Sequence, residues 1–301
     1  TGAVICPQCN KEERLEFEKR KAQESFKRNE EIKRLYYLEE FSLMDSELKN
    51  ATFDNFKVDT AEKQDDLDFV KKEARALEAI KKTKTFQVPK VINVGEAGND
   101  FQYLMLDWIE SSTPTVVDWE NLGKKLAKLH QNTNPQFGWT EDNYIAIILQ
   151  PNKFADTWSD FYTENRIMPM MKLLQNKQLI TSRQIKSAEN LCKQLNDIFP
   201  EEKPALIHGD FWNGNILPNH KGEITMIDPA IYYGHREMDI AIAKLFGGFD
   251  DVFFDAYQEA HPLAPNYEER LPIAQLFPLL VHAYLYEGYY VKDVQTILKK
   301  F

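Results

Sequence analysis

Residues 206–249 decide the fold, and they read LIHGDFWNGNILPNHKGEITMIDPAIYYGHREMDIAIAKLFGGF. A short apolar run ends just before Asp210, and Asn215 follows five positions later. A β-hairpin is predicted around residues 216–227, with its turn at Asn219-His220-Lys221-Gly222, and it delivers Asp228. The pattern therefore predicts that Asp210, Asn215 and Asp228 act together on the loops around this hairpin.

These three side chains suit the transfer of a phosphoryl group. Such a reaction needs a carboxylate that deprotonates the acceptor hydroxyl and oxygen ligands that hold Mg²⁺ on the phosphates. The spacing matches that of a catalytic Asp, a metal-binding Asn and a metal-binding Asp, so Asp210 is the predicted base and Asn215 and Asp228 the predicted Mg²⁺ ligands. The alternative is a set of ordinary turn residues, but the joint pattern is more specific than any part of it. His208 is predicted to support the loop by hydrogen bonding.

The flanking sequence predicts an α+β chain. Apolar residues between 69 and 80 recur on one helical face, and two β-type segments follow around a turn at 98–100. Beyond residue 111 the chain is mainly helical, with helices predicted over 153–176, 181–198, 236–246, 250–260 and 271–299. We expect three parts: an amino-terminal arm (1–55), an incomplete small lobe (56–111) and a helical large lobe (112–301).

The composition excludes several classes of protein. The net charge is −10 and the sequence pI is about 5.2, which argues against an extensive nucleic-acid surface. No apolar run approaches 18 residues, so no membrane span is expected. The apolar stretch at residues 3–6 is too short for a signal peptide, which makes the cytoplasm the expected location. Because the first residue is Thr1 rather than Met, we expect that residues upstream were removed.

The stretches LIHGDFWNGNI, IDPAIYYGHREMDIA and LFGGF resemble the fructosamine-3-kinase, or ketosamine kinase, family, whose relatives are the aminoglycoside and choline phosphotransferases. Further stretches, such as KKEARALEAI and HPLAPNYEERLPIAQLF, extend the resemblance over about residues 68–301. It implies a protein-kinase-like, two-lobed fold of the aminoglycoside-phosphotransferase type, with ATP and Mg²⁺ as cofactors. The implied acceptor is a ketosamine sugar, on a small molecule or on a protein. GHRE with FGGF argues against an aminoglycoside or choline acceptor.

The resemblance also implies where the nucleotide binds. The backbone of Leu106, Asp107 and Trp108 would form the hinge that holds adenine. Asp239 would brace the catalytic loop rather than touch substrate.

The acceptor sugar would lie just after the metal-binding Asp228. The resemblance places Tyr233, His235 and Arg236 there as substrate-binding candidates. Weaker candidates are Phe137, Trp139 and Asn143.

The small lobe departs from the family pattern, since residues 3–94 contain no glycine. A kinase normally covers the ATP phosphates with a glycine-rich turn, because glycine allows close backbone approach. Lys57, in a stretch similar to the family's lysine strand, is the candidate ATP-binding lysine, with Glu73 on the next helix as its partner. The alternative is that Lys57 is an exposed surface lysine. Catalytic competence is therefore an open question.

The amino-terminal segment reads differently from the rest. Residues 4–62 resemble the amino-terminal region of bacterial and phage helicase loaders, and residues 11–40 predict a charged, solvated helix. Cys6 and Cys9 could donate two thiolates to Zn²⁺, but such sites normally have four ligands, so an unliganded thiol pair is the alternative. No GxxxxGK[ST] motif occurs, which excludes a P-loop ATPase. The rival hypothesis is a weak kinase-like interaction protein that binds a replication partner, such as a helicase, through residues 1–55.

Overall fold

The computed structural model describes residues 63–97 and 101–301, and its first part is a small lobe. Helix α1 (Lys63–Thr83) is followed by the antiparallel strands β1 (Val91–Ala97) and β2 (Phe101–Leu106). This is the predicted order of helix, strand, strand. Because α1 begins earlier than residue 69, Glu73 lies in the middle of the helix instead of in its first turns.

The large lobe begins with α2 (Val116–His130), whose first turn is closed by a capping box between Thr115 and Asp118. The other elements, in chain order, are β3 (Asn143–Ile145), β4 (Ile148–Gln150), α3 (Trp158–Tyr162), a π-helical turn (Thr163–Ile167), α4 (Met168–Asn176), α5 (Ser182–Cys192), α6 (Leu195–Ile198), β5 (Ala205–Ile207), a 3₁₀ turn (Asn213–Asn215), β6 (Ile216–Pro218), β7 (Ile224–Met226), β8 (Tyr232–Gly234), α7 (Glu237–Phe246), α8 (Asp251–Ala260), α9 (Tyr267–Ala274), α10 (Leu276–Tyr286) and α11 (Gly288–Leu298).

The strands of this lobe pair as β3 with β4, β5 with β8 and β6 with β7, all antiparallel. The β6–β7 hairpin agrees with the prediction for 216–227, and its turn is closed by a bond from the Gly222 N–H to the Asn219 carbonyl. The single helix predicted over 271–299 is wrong. The helix is interrupted at Gln275 and again at Glu287. Glu287 has a positive φ of 56°, which cannot continue a right-handed helix.

Two hydrophobic clusters form the core. The first lies among α3, α4, α5, α10 and α11, and Phe161 and Leu280 are fully buried within it. The second joins Ile80 of α1 to Leu126 of α2 and to Phe211 of the catalytic segment. Burying one large apolar side chain contributes about 1.5–3 kcal/mol. Helix α1 therefore shares its core with the residues that follow Asp210.

Helix α10 has the most apolar sequence among these helices, LFPLLVHAYLY. It has 11 residues and packs inside the first cluster, whereas a bilayer requires about 20 consecutive residues. Within 63–97 and 101–301, no helix is both long and apolar enough to cross a membrane.

Candidate active site

Asp239 braces the loop that follows β5. Its fully buried carboxylate accepts the backbone N–H groups of His208 at 2.8 Å and Gly209 at 2.9 Å, and it meets His130 Nε2 at 3.1 Å. Position 209 requires a glycine, because its φ is 82° and an added Cβ would lie 2.1 Å from the Ala230 carbonyl oxygen. The structure thus shows the bracing role predicted for Asp239.

His208 supports the same loop from inside. The Asp210 N–H donates to His208 Nδ1 at 3.3 Å, so the proton of the neutral ring is on Nε2, which lies 3.1 Å from the Ile227 carbonyl. Burial lowers the pKa of His208 and keeps the ring neutral. This histidine has the supporting position predicted for it.

The three predicted catalytic and metal-binding residues come together. Asn215 Nδ2 donates to the Asp210 carbonyl at 3.0 Å and to Asp210 Oδ2 at 3.1 Å. The Ile227 N–H donates to the Asn215 carbonyl at 3.2 Å, which sets the end of β7 against the 3₁₀ turn. Asp228 follows with a φ of 51°, a left-handed conformation that few residues other than glycine, Asn and Asp adopt.

Acidic charge is concentrated at this place. Desolvation, followed by repulsion from Asp228 and Asp239, raises the pKa of Asp210 to about 7, although the bond from Asn215 opposes the rise. Desolvation, followed by repulsion from Asp228 and Asp210, raises the pKa of Glu73 to about 8. Desolvation also raises the pKa of Asp228, although this side chain keeps contact with solvent, which screens its charge. Glu73, Asp210 and Asp228, together called the carboxylate cluster, therefore lie near enough to repel one another when they are ionised.

The donor set fits a hard divalent cation. The NH₂ group of Asn215 is bonded to Asp210, so its amide oxygen and the carboxylate of Asp228 are the oxygens available to a metal. Across the described ranges, no group of three or more His, Cys, Asp or Glu side chains could hold a metal ion alone. Mg²⁺ typically takes only one or two protein oxygens and completes its shell with phosphates and water. Asn215 and Asp228 would therefore hold Mg²⁺ together with a nucleotide.

The model of the fructosamine kinase family matches residues 19–301. The chain belongs to the fructosamine kinase family. A curated relative named as a probable ketoamine kinase, from Enterococcus faecium, is 36% identical over 228 residues, which cover 75% of this chain and 81% of that protein. Membership confirms the predicted class of enzyme, an ATP-dependent phosphotransferase, which uses ATP with a divalent metal.

Solved structures agree with this assignment. A protein from Thermobifida fusca described as a fructosamine-3-kinase has a TM-score of 0.70 and 34% identity, covering 80% of this chain and 83% of that one. A second, from Haemophilus somnus, has a TM-score of 0.72 and 29% identity, covering 79% and 81%. They confirm the predicted protein-kinase-like fold. The resemblance of residues 4–62 to helicase loaders stays a prediction, because neither the family match nor these relatives show it.

The predicted adenine-binding hinge, Leu106 with Asp107 and Trp108, lies at the end of β2. The Asp107 N–H donates to the Lys90 carbonyl at 3.0 Å, and the Asp107 carboxylate accepts the Lys90 N–H. Backbone N–H and C=O groups of successive residues in an extended chain point in opposite directions. Those of Leu106 and Trp108 therefore point away from Lys90. The Trp108 side chain is 87% exposed. This geometry suits the adenine contact predicted for the hinge backbone, which stays a prediction.

Two predicted substrate-binding residues lie in the interior. His235 is fully buried between the rings of Trp158 and Phe199. Arg236 binds the Glu202 carboxylate through Nε and Nη2, both at 2.8 Å, and donates to the carbonyls of His261 and Pro262 at 2.6 Å. These engaged, buried side chains cannot reach an acceptor, so the structure does not support the substrate contacts predicted for His235 and Arg236.

The remaining acceptor candidates differ in accessibility. Tyr233 is half-buried, and its ring packs against Trp139 with a centroid distance of 5.4 Å. Phe137 is a core residue, and Asn143 is buried with its amide donating to the Ile231 carbonyl at 2.8 Å. The substrate contacts of Tyr233 and Trp139 therefore stay predictions, whereas the side chains of Phe137 and Asn143 are engaged in the interior.

Sequence reasoning missed a row of aromatic rings that begins at the catalytic loop. Trp212 meets Phe246 edge to face at a centroid distance of 6.5 Å, and Phe246 meets His282 at 4.7 Å. His282 is followed by Tyr286 at 5.5 Å and Tyr290 at 5.0 Å. The backbone N–H of Trp212 donates to the Asp210 carbonyl at 3.1 Å, which places one end of the row at the predicted base. No sequence motif links these residues, because they come from separate elements.

Three predicted site residues lie outside the described residues. They are the candidate ATP-binding Lys57 and the thiol pair Cys6 and Cys9. Their roles, and those of the amino-terminal arm, stay predictions.

Proposed function

We propose that this chain transfers the γ-phosphoryl group of ATP to a sugar hydroxyl of a ketosamine, with Asp210 as the general base. The observation that carries the proposal is the convergence of Asp210, Asn215 and Asp228 within a chain of this family. Relatives are named as ketoamine kinases, which supports the acceptor class.

The reaction divides its tasks among these residues. Asp210 accepts the proton of the acceptor hydroxyl, the hydroxyl oxygen bonds to the γ-phosphorus of ATP, and the bond to the β–γ bridging oxygen breaks to release ADP. Asn215 and Asp228 hold Mg²⁺, which supplies positive charge on the phosphates. The Asn215 amide also fixes the orientation of Asp210 through the 3.1 Å bond to Oδ2.

The aromatic row supports an acceptor that combines a sugar with an amine. Trp212, two residues after Asp210, and Phe246, which packs against it, offer apolar ring surfaces, and pyranose or furanose C–H groups pack on such surfaces. The protonated amine of a glycated lysine is attracted to aromatic rings as well. We infer that the acceptor lies along this row, with Tyr233 as a further candidate contact.

Nucleotide binding has to succeed without the usual glycine-rich turn, since residues 3–94 lack glycine. We propose that Lys57 pairs with Glu73 and contacts the ATP phosphates. A lysine beside Glu73 would oppose the desolvation and the repulsion from Asp228 and Asp210 that raise the pKa of that carboxyl.

ADP release tests the proposal. The purified chain is assayed with Mg²⁺·ATP and either fructosyl-lysine or ribulosyl-lysine, beside Asp210→Asn and the control Asp255→Asn, which changes an exposed aspartate on α8. We expect acceptor-dependent turnover that falls at least about 10³-fold in Asp210→Asn and is unchanged in the control. Full activity in Asp210→Asn, with both variants folded, would refute the assignment of the base.

The second candidate is a catalytically weak interaction protein, which the glycine-free stretch favours. Its arm, residues 1–55, would bind a protein such as a helicase, and Cys6 and Cys9 would either bind Zn²⁺ or stay free. Co-purification with a helicase and no Mg²⁺·ATP binding by a folded chain would favour it. Acceptor-dependent turnover would favour the kinase. For either candidate we propose a cytoplasmic location.

A further inference from the structure

Helix α1 is attached to the large lobe along a flank that the catalytic residues do not use. Arg75 donates from Nε and Nη2 to the two carboxylate oxygens of Glu141, both at 2.7 Å. Two turns earlier, the ring of Phe69 packs against Tyr144 with a centroid distance of 5.0 Å, and Lys72 Nζ lies 5.1 Å from the centre of that ring. Three side chains of α1 thus meet residues at or just before β3.

The segment that receives them is also hydrogen-bonded to the stretch between Asp228 and β8. Asn143 Nδ2 donates to the Ile231 carbonyl at 2.8 Å, and Gln150 Nε2 donates to the Ala230 carbonyl at 3.2 Å. Both amides are buried, and Gln150 also donates to Asn143 Oδ1 at 2.8 Å. These carbonyls are two and three residues after the proposed metal ligand.

The interior of this segment is fixed by Asn152. Its Nδ2 donates to the Glu141 carbonyl at 3.1 Å and to Asn143 Oδ1 at 2.8 Å. Its Oδ1 accepts from Nη2 of the fully buried Arg166 at 2.7 Å, and that guanidinium lies 4.0 Å from the ring centre of Tyr232. Buried polar networks of this kind select one arrangement of the backbone, because a broken bond leaves a desolvated polar group.

We propose that residues 141–152, the coupling hairpin, hold α1 in a fixed position relative to Asp228, and that Arg75 and Glu141 are positioning residues for nucleotide binding. The proposal rests on the proposed function in one respect, that Glu73 and Asp228 act in the nucleotide site. Glu73 lies on α1 between Phe69 and Arg75, so a shift of the helix displaces it from Asp228.

A positioning role can be separated from a structural one. Arg75 and Glu141 keep 48% and 29% of their side-chain surfaces exposed, and such pairs contribute little to the stability of a fold. The buried residues Ala76 and Ile80 hold α1 on the core whether or not the pair is present. Breaking the pair should therefore alter the position of α1 more than the stability of the chain.

The test uses the full chain with Arg75→Gln, Glu141→Gln and the charge-swapped double variant Arg75→Glu/Glu141→Arg. Lys124→Gln is the control, since it breaks a comparable exposed pair with Glu120 on α2. Calorimetry with Mg²⁺·AMP-PNP gives the Kd, and amide hydrogen exchange reports on residues 69–83. We expect each single variant to raise the Kd about fivefold and to speed exchange in α1, with little change in Tm. The swap should return both values to within about twofold of wild type, and the control should match wild type.

The outcomes separate this proposal from the proposed function, because binding is measured apart from turnover. Weaker binding in the single variants with rescue by the swap upholds the proposal even if the wild type transfers nothing to a ketosamine. Single variants that bind like wild type and keep the protection of α1 overturn it. A swap that fails to rescue, or a folded wild type that binds no Mg²⁺·AMP-PNP, overturns it as well.

Discussion

Asp210 has the position of a general base and the electrostatics of a group that titrates near neutrality. Desolvation and the nearby carboxylates raise its pKa to about 7. A base works only when deprotonated, so kcat/KM for ATP should rise with pH up to about 7 and level off above it. Bound Mg²⁺ adds positive charge, so the acidic limb of kcat should lie at lower pH. A pH–rate profile from 5 to 9 checks this, and a kcat/KM that stays flat down to pH 5 would contradict it.

Glu73 links the site to stability through its pKa of about 8, raised from an ordinary 4.5. Between these two pH values the folded chain retains a proton that the unfolded chain loses. The resulting contribution to stability is fully present below pH 4.5 and is lost as the pH rises through 8. Where Glu73 has no lysine partner in the nucleotide-free chain, Glu73→Gln should stabilise that chain by about 1–3 kcal/mol at pH 9 and very little at pH 5, whereas a preformed Lys57–Glu73 pair predicts destabilisation at both pH values. Urea unfolding at both pH values measures it, with Glu78→Gln, an exposed change on α1, as control. An equal effect at both pH values would argue against a buried charge.

The same residue-level reasoning explains which site residues the sequence could predict. Asp210, Asn215 and Asp228 lie within nineteen residues, so spacing alone relates them to one loop and one hairpin. His235 and Arg236 stand close by in sequence, yet the partner of Arg236 is Glu202, 34 positions upstream. Proximity along the chain could not show that this pair turns inward.

At the scale of elements, α2, α7 and α8 are joined by one directional chain of hydrogen bonds. Arg236 Nη1 donates to Tyr257 Oη at 3.4 Å, and the Tyr257 hydroxyl lies 2.8 Å from His130 Nδ1. His130 Nε2 then faces the Asp239 carboxylate at 3.1 Å. Because Arg236 can only donate and the carboxylate can accept, the hydroxyl donates to Nδ1 and Nε2 carries the proton. Two helices besides α7, namely α2 and α8, thus help to position the catalytic loop.

Tyr257→Phe tests this chain. The change leaves His130 Nδ1 without its donor in a fully buried site, which should cost about 1–3 kcal/mol of unfolding free energy. Urea unfolding measures the loss, and Tyr289→Phe, on an exposed ring, is the matched control with an expected change near zero. A Tyr257→Phe chain as stable as the control would mean that the contact contributes nothing.

Local signals decided which elements the sequence predicted well. The β6–β7 hairpin has its turn residues, and α7 and α8 have regular apolar spacing, so their positions follow from the chain itself. The β3–β4 hairpin escaped prediction because each strand has three residues and the turn uses Ala146 at a φ of 49°, an uncommon choice. Its arrangement depends on bonds to residues 230 and 231, which are distant in sequence.

At the scale of the whole molecule, separated elements meet at the site. Trp212, Phe246 and His282 come from a loop and two helices, and their rings form one row only after α10 packs into the first core. Glu73 reaches the carboxylate cluster because α1 shares the second core with Phe211. The sequence specifies such sites through packing, which periodicity along one segment does not report.

The carboxylate cluster predicts opposite effects of one substitution in two states of the chain. Asp228→Asn removes one repelling charge, and Asn adopts the left-handed backbone of this position at least as readily as Asp, so the nucleotide-free Tm should rise slightly. The same change removes a proposed Mg²⁺ ligand. Mg²⁺·AMP-PNP at about 100 times its Kd should stabilise the wild type by about 2.7 kcal/mol and Asp228→Asn far less. Thermal unfolding with and without the nucleotide measures both effects, with Asp255→Asn as control. Equal stabilisation of Asp228→Asn and wild type would show that Asp228 does not hold the metal, because a ligand stabilises a chain only through the contacts it makes with the folded state.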